Sequence, residues 1–253
     1  NPKRVKFFLD DLLLKSKEKA IQEVNEVKTY MRALGIDHEL ERWDWAYYAE
    51  SLRKEKFDFD DELLKPYFKL EKVIKGVFKT AEKLYGLTFK VNDQIPTYHD
   101  EVTAYEVWED KELKAIFFAD YFPRSGKRPG AWMTSYRDQK NINGQRIIPQ
   151  VSIVCNFTPS TESQPSLLKF DEVKTLFHEF GHALHGMLAD TTYGSLSGTS
   201  VSWDFVELPS QIFENWCYES ECLRLFAHHY ETEEVIPLEY IGRIKSAATF
   251  HEA

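Results

Sequence analysis

His178 and His182 stand four residues apart with Glu179 between them, in the run His178-Glu179-Phe180-Gly181-His182. On a helix, that spacing projects both imidazoles from one face toward one point. Two converging imidazoles suit two of the four positions around a zinc ion. Glu179 lies about 100° further around the helix. Its carboxylate can flank the ion at the open position and take a proton from the attacking water. The chemistry these residue types allow is metal-assisted attack of water on a carbonyl.

A catalytic zinc site of this kind needs a third protein ligand. The metzincin pattern would put glycine three residues after the second histidine and histidine six after, but those positions hold His185 and Leu188. A glutamate from a following helix is the alternative. Glu207 lies 25 residues after His182, enough for the helix to end, a loop to turn at Gly194 and Gly198, and a second helix to return. Glu207 is therefore assigned as the third ligand. Asp204, three residues earlier on the expected helix, competes with it or acts as an acceptor fixing a histidine tautomer. Gln211 and Glu214 are further supporting candidates. His185 shares the helix face of the two histidines and is read as a supporting or cleft residue. The pair His228-His229 is read as an exposed helix terminus, and His38, His99 and His251 as structural or surface residues.

The elements that must position these groups are legible by period. Asn1-Pro2 caps a first helix, in which Val5, Phe8, Leu9, Leu12, Val24, Val27, Tyr30, Met31 and Leu34 recur at helical spacing and Gly35 is the stop. A second helix is expected over residues 37–54, with Trp43, Trp45, Tyr47 and Tyr48 as a core stripe. A third follows Asp60-Asp61, restarts or kinks at Pro66 and ends at Gly86. Residues 102–108 and 113–119 read as a β-hairpin about Glu109-Asp110-Lys111. A Gly, Pro and Arg-rich loop follows over residues 123–130. Residues 147–157 read as a third strand, set at a sheet edge by Pro149. The helix carrying the histidines is expected to be capped by Asp171. It packs through Val173, Leu176, Phe177, Phe180, Leu184 and Leu188. Residues 1–253 are taken as part of one catalytic region, about 1–95 helical and about 96–253 a small sheet with the metal-binding helices.

Composition excludes some classes. The net charge of -9 argues against a nucleic-acid partner, which needs a basic footprint. No apolar run approaches the roughly 18–20 residues that cross a bilayer, so no membrane partner is expected. Cys155, Cys217 and Cys222 are three and scattered, which argues against a disulfide framework. The sequon at Asn156 is read as chance.

Motifs spread along most of the chain resemble the thimet oligopeptidase and peptidyl-dipeptidase family of zinc peptidases, the bacterial peptidyl-dipeptidase branch above all. They include Trp43 to Glu50, Lys65 to Phe68, Asp120 to Arg128, Gly130 to Met133, Cys155 to Thr158, His178 to His185, Ser197 to Thr199 and Asp204 to Trp216. The resemblance implies a mainly helical, zincin-like (neurolysin-like) fold with a small sheet beside a channel for short peptides. It implies one Zn²⁺ held by His178, His182 and Glu207, with Glu179 as the catalytic acid/base. By the rule for zincins, substrate lies along an edge strand, for which residues 147–157 are the candidate. The family's later segment, rich in glycine and tyrosine, has no counterpart here. The chain is thus expected to be a portion of a longer enzyme whose remainder completes the site. The intact enzyme is expected to release C-terminal dipeptides in the cytoplasm, or alternatively the periplasm. An oligoendopeptidase of the same family, and an inactive zinc- or peptide-binding fragment, are the other readings.

Overall fold

The structure is a computed structural model that describes residues 1–57, 61–248 and 250–251. Asp60 of the expected third-helix start lies outside the described residues, as do residues 252–253. In chain order the elements are α1 (Pro2–Ala33), α2 (Trp45–Phe57), α3 (Asp61–Leu64), α4 (Leu70–Tyr85), β1 (Leu87–Val91), β2 (Thr103–Glu109), β3 (Glu112–Asp120), β4 (Trp132–Arg137), β5 (Lys140–Ile142), β6 (Gln145–Ile147), β7 (Gln150–Val154), α5 (Phe170–Met187), α6 (Leu208–Glu214), α7 (Ser220–Leu223) and α8 (Leu238–Ala247). Two compact units divide the chain, residues 1–60 with 239–253, and residues 61–238.

In the first unit, Asn1 caps α1 by accepting the Lys3 N–H, with Pro2 in the first turn. Val27 and Met31 near its C-terminal end are buried, and Lys56 of α2 pairs with Glu26 of α1 at 2.7 Å. Phe8, Leu9 and Leu12, expected to pack, are exposed. The second helix also begins later than expected, at Trp45. The Ile36 N–H turns back to Met31 O, Asp44 accepts the Glu41 N–H, and residues 36–44 are irregular up to the turn of residues 42–44. Trp43 and Tyr47 of the supposed core stripe are 79% and 69% exposed. Helical spacing put Trp45, Tyr47 and Tyr48 on a helix, but Trp43 precedes it, and spacing did not fix which face is covered.

In the second unit the chain restarts at Pro66 as expected, in a 3-10 turn between α3 and α4. The sheet has order β1-β2-β3-β7-β4, with β3 and β7 parallel and every other neighbour antiparallel. The β2–β3 hairpin forms as read. β1, in the stretch read as helical, and β4 were missed. So was the β5–β6 hairpin, although Asn143-Gly144 (φ 52° and 79°) is a strong turn signal. The strand at residues 147–157 is corrected in two ways. It spans only Gln150–Val154, and it is interior rather than edge. Pro149 precedes the ladder, where its missing N–H costs nothing, and its carbonyl still accepts the Ile116 N–H at 3.0 Å. The free edge beside α5 belongs to β4.

α4 and α5 cover one face of this sheet. Phe78 of α4 stacks on Phe89 of β1 at 4.2 Å, and Phe180 of α5 meets Phe117 of β3 edge-on at 5.5 Å. Val102, Ala104, Ile116 and Phe118 form a smaller cluster on the other face. The Phe180 contacts seat the middle of α5 on the sheet and leave its opposite side to present other groups.

Candidate metal centre

α5 is capped at Lys169, not at Asp171 as expected. The Glu172 carboxylate reaches back to accept the Lys169 N–H at 2.8 Å, while Asp171 and Glu172 face the positive end of the helix dipole. Val173, Leu176, Phe177, Phe180 and Leu184 are buried as read. The remaining arc of the helix carries His178 and His182, whose rings stand 4.9 Å apart and nearly perpendicular.

Glu207 comes to them from the turn of residues 203–207 that leads into α6. The expected helix through Trp203 and Asp204 is absent; Pro209 opens the helix only after Glu207. Glu207 Oε2 lies 3.3 Å from His178 Nε2 and 3.1 Å from His182 Nε2. The three donors all fall within 4.8 Å of one another. Two donors each about 2.0–2.2 Å from a tetrahedral zinc stand roughly 3.3–3.5 Å apart, so the spacing and the N,N,O donor set both fit that ion. A buried His182 Nδ1 has no partner among the described residues.

Close contact between α5 and α6 makes this meeting possible. A side chain at Gly181 would bring its Cβ within 2.6 Å of Ser210 Cα and 2.9 Å of Pro209 O. Only the absence of that carbon lets α6 lie this close. Two partners then fix the donors. Ser210 Oγ donates to Glu207 Oε2 at 2.9 Å. Glu214 Oε1 lies 2.6 Å from His178 Nδ1. An ionised carboxylate only accepts, so Nδ1 carries the proton and Nε2 keeps its lone pair toward Glu207 and His182.

Glu179 is 6% exposed. Burial raises its carboxyl to about 7, with His178 lowering it and Glu207 raising it. Burial also holds His182 below the usual histidine value, against the pull of Glu207. At neutral pH the site therefore offers a carboxylate poised to gain or lose a proton beside an imidazole kept neutral.

The other predicted residues are not gathered here. Asp204 and Gln211 are exposed and lie outside the donor group. His185, lowered by burial alone, borders an apolar cavity of about 450 Å³ with Leu184, Leu188 and Ile212. Gly198 packs its backbone on Gly186, where an added Cβ would stand 3.0 Å from Gly186 Cα. His228 and His229 lie in a bridged turn rather than at a helix end. Ser210 and Gly181 were not singled out from sequence. The signal available was their position, one inside the histidine motif and one three residues after Glu207.

The family model described as Peptidase family M3 matches residues 1–253. Oligopeptidase A of Escherichia coli (strain K12) is 38% identical, over 100% of this chain and 38% of its own length. Dipeptidyl carboxypeptidase of Salmonella typhimurium (strain LT2) is 37% identical, over 99% of this chain and 37% of its own. Probable cytosolic oligopeptidase A of Arabidopsis thaliana is 36% identical, over 96% and 36%. The chain spans well under half the length of the curated relatives it matches.

Proposed function

The chain belongs to peptidase family M3, and from that premise we propose that it carries the zinc-binding, catalytic core of a zincin-like enzyme that hydrolyses short peptides. The observation that carries the reading is the convergence of His178 Nε2, His182 Nε2 and Glu207 Oε2, with the buried Glu179 beside them. In this reading His178, His182 and Glu207 hold one Zn²⁺. Zinc, when bound, supplies a Lewis acid for the attacking water and the scissile carbonyl.

Glu179 takes the proton of the attacking water as the C–O bond forms, then gives it to the leaving amine as the C–N bond breaks. Glu214 and Ser210 keep the donors aimed through both steps. The peptide lies along β4, which among the described residues has no strand paired on its outer side and so can take one there. In the longer polypeptide, whose remainder completes the site, the product is a C-terminal dipeptide. A second reading, internal cleavage of oligopeptides, is favoured by the near-equal identity to an oligopeptidase A and to a dipeptidyl carboxypeptidase. Neither nucleic acid nor membrane is among the proposed partners. The proposed compartment is the cytoplasm, in keeping with three buried free cysteines, and cell fractionation tests it. Among the described residues no helix is long and apolar enough to cross a membrane.

The test is Glu179→Gln in a polypeptide of the relatives' length, given short peptides with free and amidated C-termini. Hydrolysis is expected to fall by about 10²-fold or more with zinc content unchanged. Turnover at the original rate would overturn the role of Glu179. Dipeptide products from the free peptide alone support the dipeptidase mode, and equal cleavage of both peptides supports the internal one.

A further inference from the structure

Glu214 touches two residues of α5 one helical turn apart. Its Oε1 meets His178 Nδ1 at 2.6 Å and its Oε2 meets Lys174 Nζ at 3.1 Å. We propose that Lys174 is a positioning residue of the metal centre, which holds Glu214 so that Glu214 fixes the ring of His178. This rests on the reading that His178, His182 and Glu207 bind a metal ion.

The geometry argues for it in three ways. First, a carboxylate with one oxygen engaged can still swing about its last torsion. With a partner on each oxygen it cannot, and the imidazole it grips is then fixed in ring angle and tautomer. Second, Glu214 is half-buried at the junction of α6 with the 3-10 turn of Asn215–Tyr218, and Lys174 supplies the cation from which its second oxygen accepts there. Third, Lys174 and His178 share a rigid helix at i and i+4, so the lysine and the ring keep a constant offset for Glu214 to span. An exposed pair would contribute little to stability, and Lys174 is 41% exposed. Glu214 is only 18% exposed, however, and its second contact is the Nδ1 of a histidine that is itself 25% exposed. The consequence of the pair falls on the histidine rather than on the fold.

The sign of one measurement separates positioning from simple charge. Lys174 is a cation near a site for a dication. Through space it repels the metal, so its removal would tighten binding. As a positioning residue, its removal must weaken binding instead. The experiment measures zinc affinity of the 253-residue chain by competition with a chromophoric chelator, together with the visible spectrum of the cobalt-loaded form. Lys174→Met is expected to weaken zinc binding about threefold to tenfold, below the roughly 10- to 100-fold typical of a group that touches the ligand itself, here Glu214→Gln. It should also shift the cobalt bands. Lys174→Arg should restore both, and Lys174→Met should add little in the Glu214→Gln background. Unchanged or tighter binding in Lys174→Met would overturn the proposal, as would an undiminished loss when Glu214→Gln is already present. If the unsubstituted chain binds no metal, the metal-centre reading fails and this one with it. Matching metal-free thermal unfolding of the variants excludes misfolding as the cause.

Discussion

Asp120, at the end of β3, is a carboxylate only 1% exposed, and it carries three partners. Arg124 grips it with two hydrogen bonds of 2.7 and 2.8 Å, Lys127 donates at 2.8 Å, and the Tyr98 hydroxyl donates at 3.0 Å. Burial pushes its carboxyl up, but these hydrogen bonds together outweigh it and hold the group below the usual aspartate value. A carboxyl depressed in the folded state stabilises the fold above its unfolded pKa. That stabilisation is lost as pH falls from the unfolded value through the lower folded one. Asp120→Asn leaves Lys127, 3% exposed, without a counter-ion. Chemical unfolding at pH 7 is expected to show a loss of about 3–5 kcal/mol. The difference from the unsubstituted chain should shrink as pH is lowered through that window. A difference that stays constant to pH 3 would mean the charge is not what matters. This cluster was present in the sequence only as a loop motif, because nothing in the spacing of Asp120, Arg124 and Lys127 says that the carboxylate is buried. His178, Glu179, His182 and Glu207 were legible because helical spacing and loop length bear directly on where they point. Ser210 and Lys174 were not, since each acts on a donor from an element whose approach angle is a tertiary fact.

Elements differ in how much of their placement is local. Helix α5 and the β2–β3 hairpin follow from period alone, and the structure has both. The sheet order does not follow from period. Residues 150–154 are buried at every position after Gln150, the polar Ser152 included, which fits a strand flanked on both sides, and Pro149 drew attention to the wrong feature. The α5–α6 contact is the element-scale fact on which the metal centre depends, and Gly181 controls it. Gly181→Ala would force Ser210 and Pro209 outward from 2.6 and 2.9 Å. Overpacking of this kind typically destabilises by about 1–3 kcal/mol. Glu207 rides on the same turn, so zinc affinity should fall in the same variant. Thermal unfolding and chelator competition measure the two effects. If Gly181→Ala unfolds earlier but binds zinc unchanged, Glu207 is positioned by something other than this contact.

At the scale of the molecule, all three donors, Glu179 and both orienting groups lie in the unit of residues 61–238, and the other unit supplies none of them. Metal binding therefore acts on one unit's folding equilibrium. A ligand bound only by the folded state adds about 2.7 kcal/mol of stability at a hundred times its Kd. That increment belongs to the segments opened when the donors separate, namely α5 and the turn into α6. The turn and α6 are held to α5 by packing at Gly181, by Phe213 against Phe177 and Phe180, and by the Glu214 contact, whereas α5 is also seated on the sheet, so without metal the turn region is the easier of the two to open. Hydrogen exchange read by mass spectrometry should thus show zinc slowing exchange in α6 most, in α5 next, and in α1 and α2 not at all. The chelated chain should return to the unprotected pattern. Protection spread evenly over α1 and α2 as well would show that the two units unfold as one. Protection confined to α5, with the turn of residues 203–207 untouched, would remove Glu207 from the donor set.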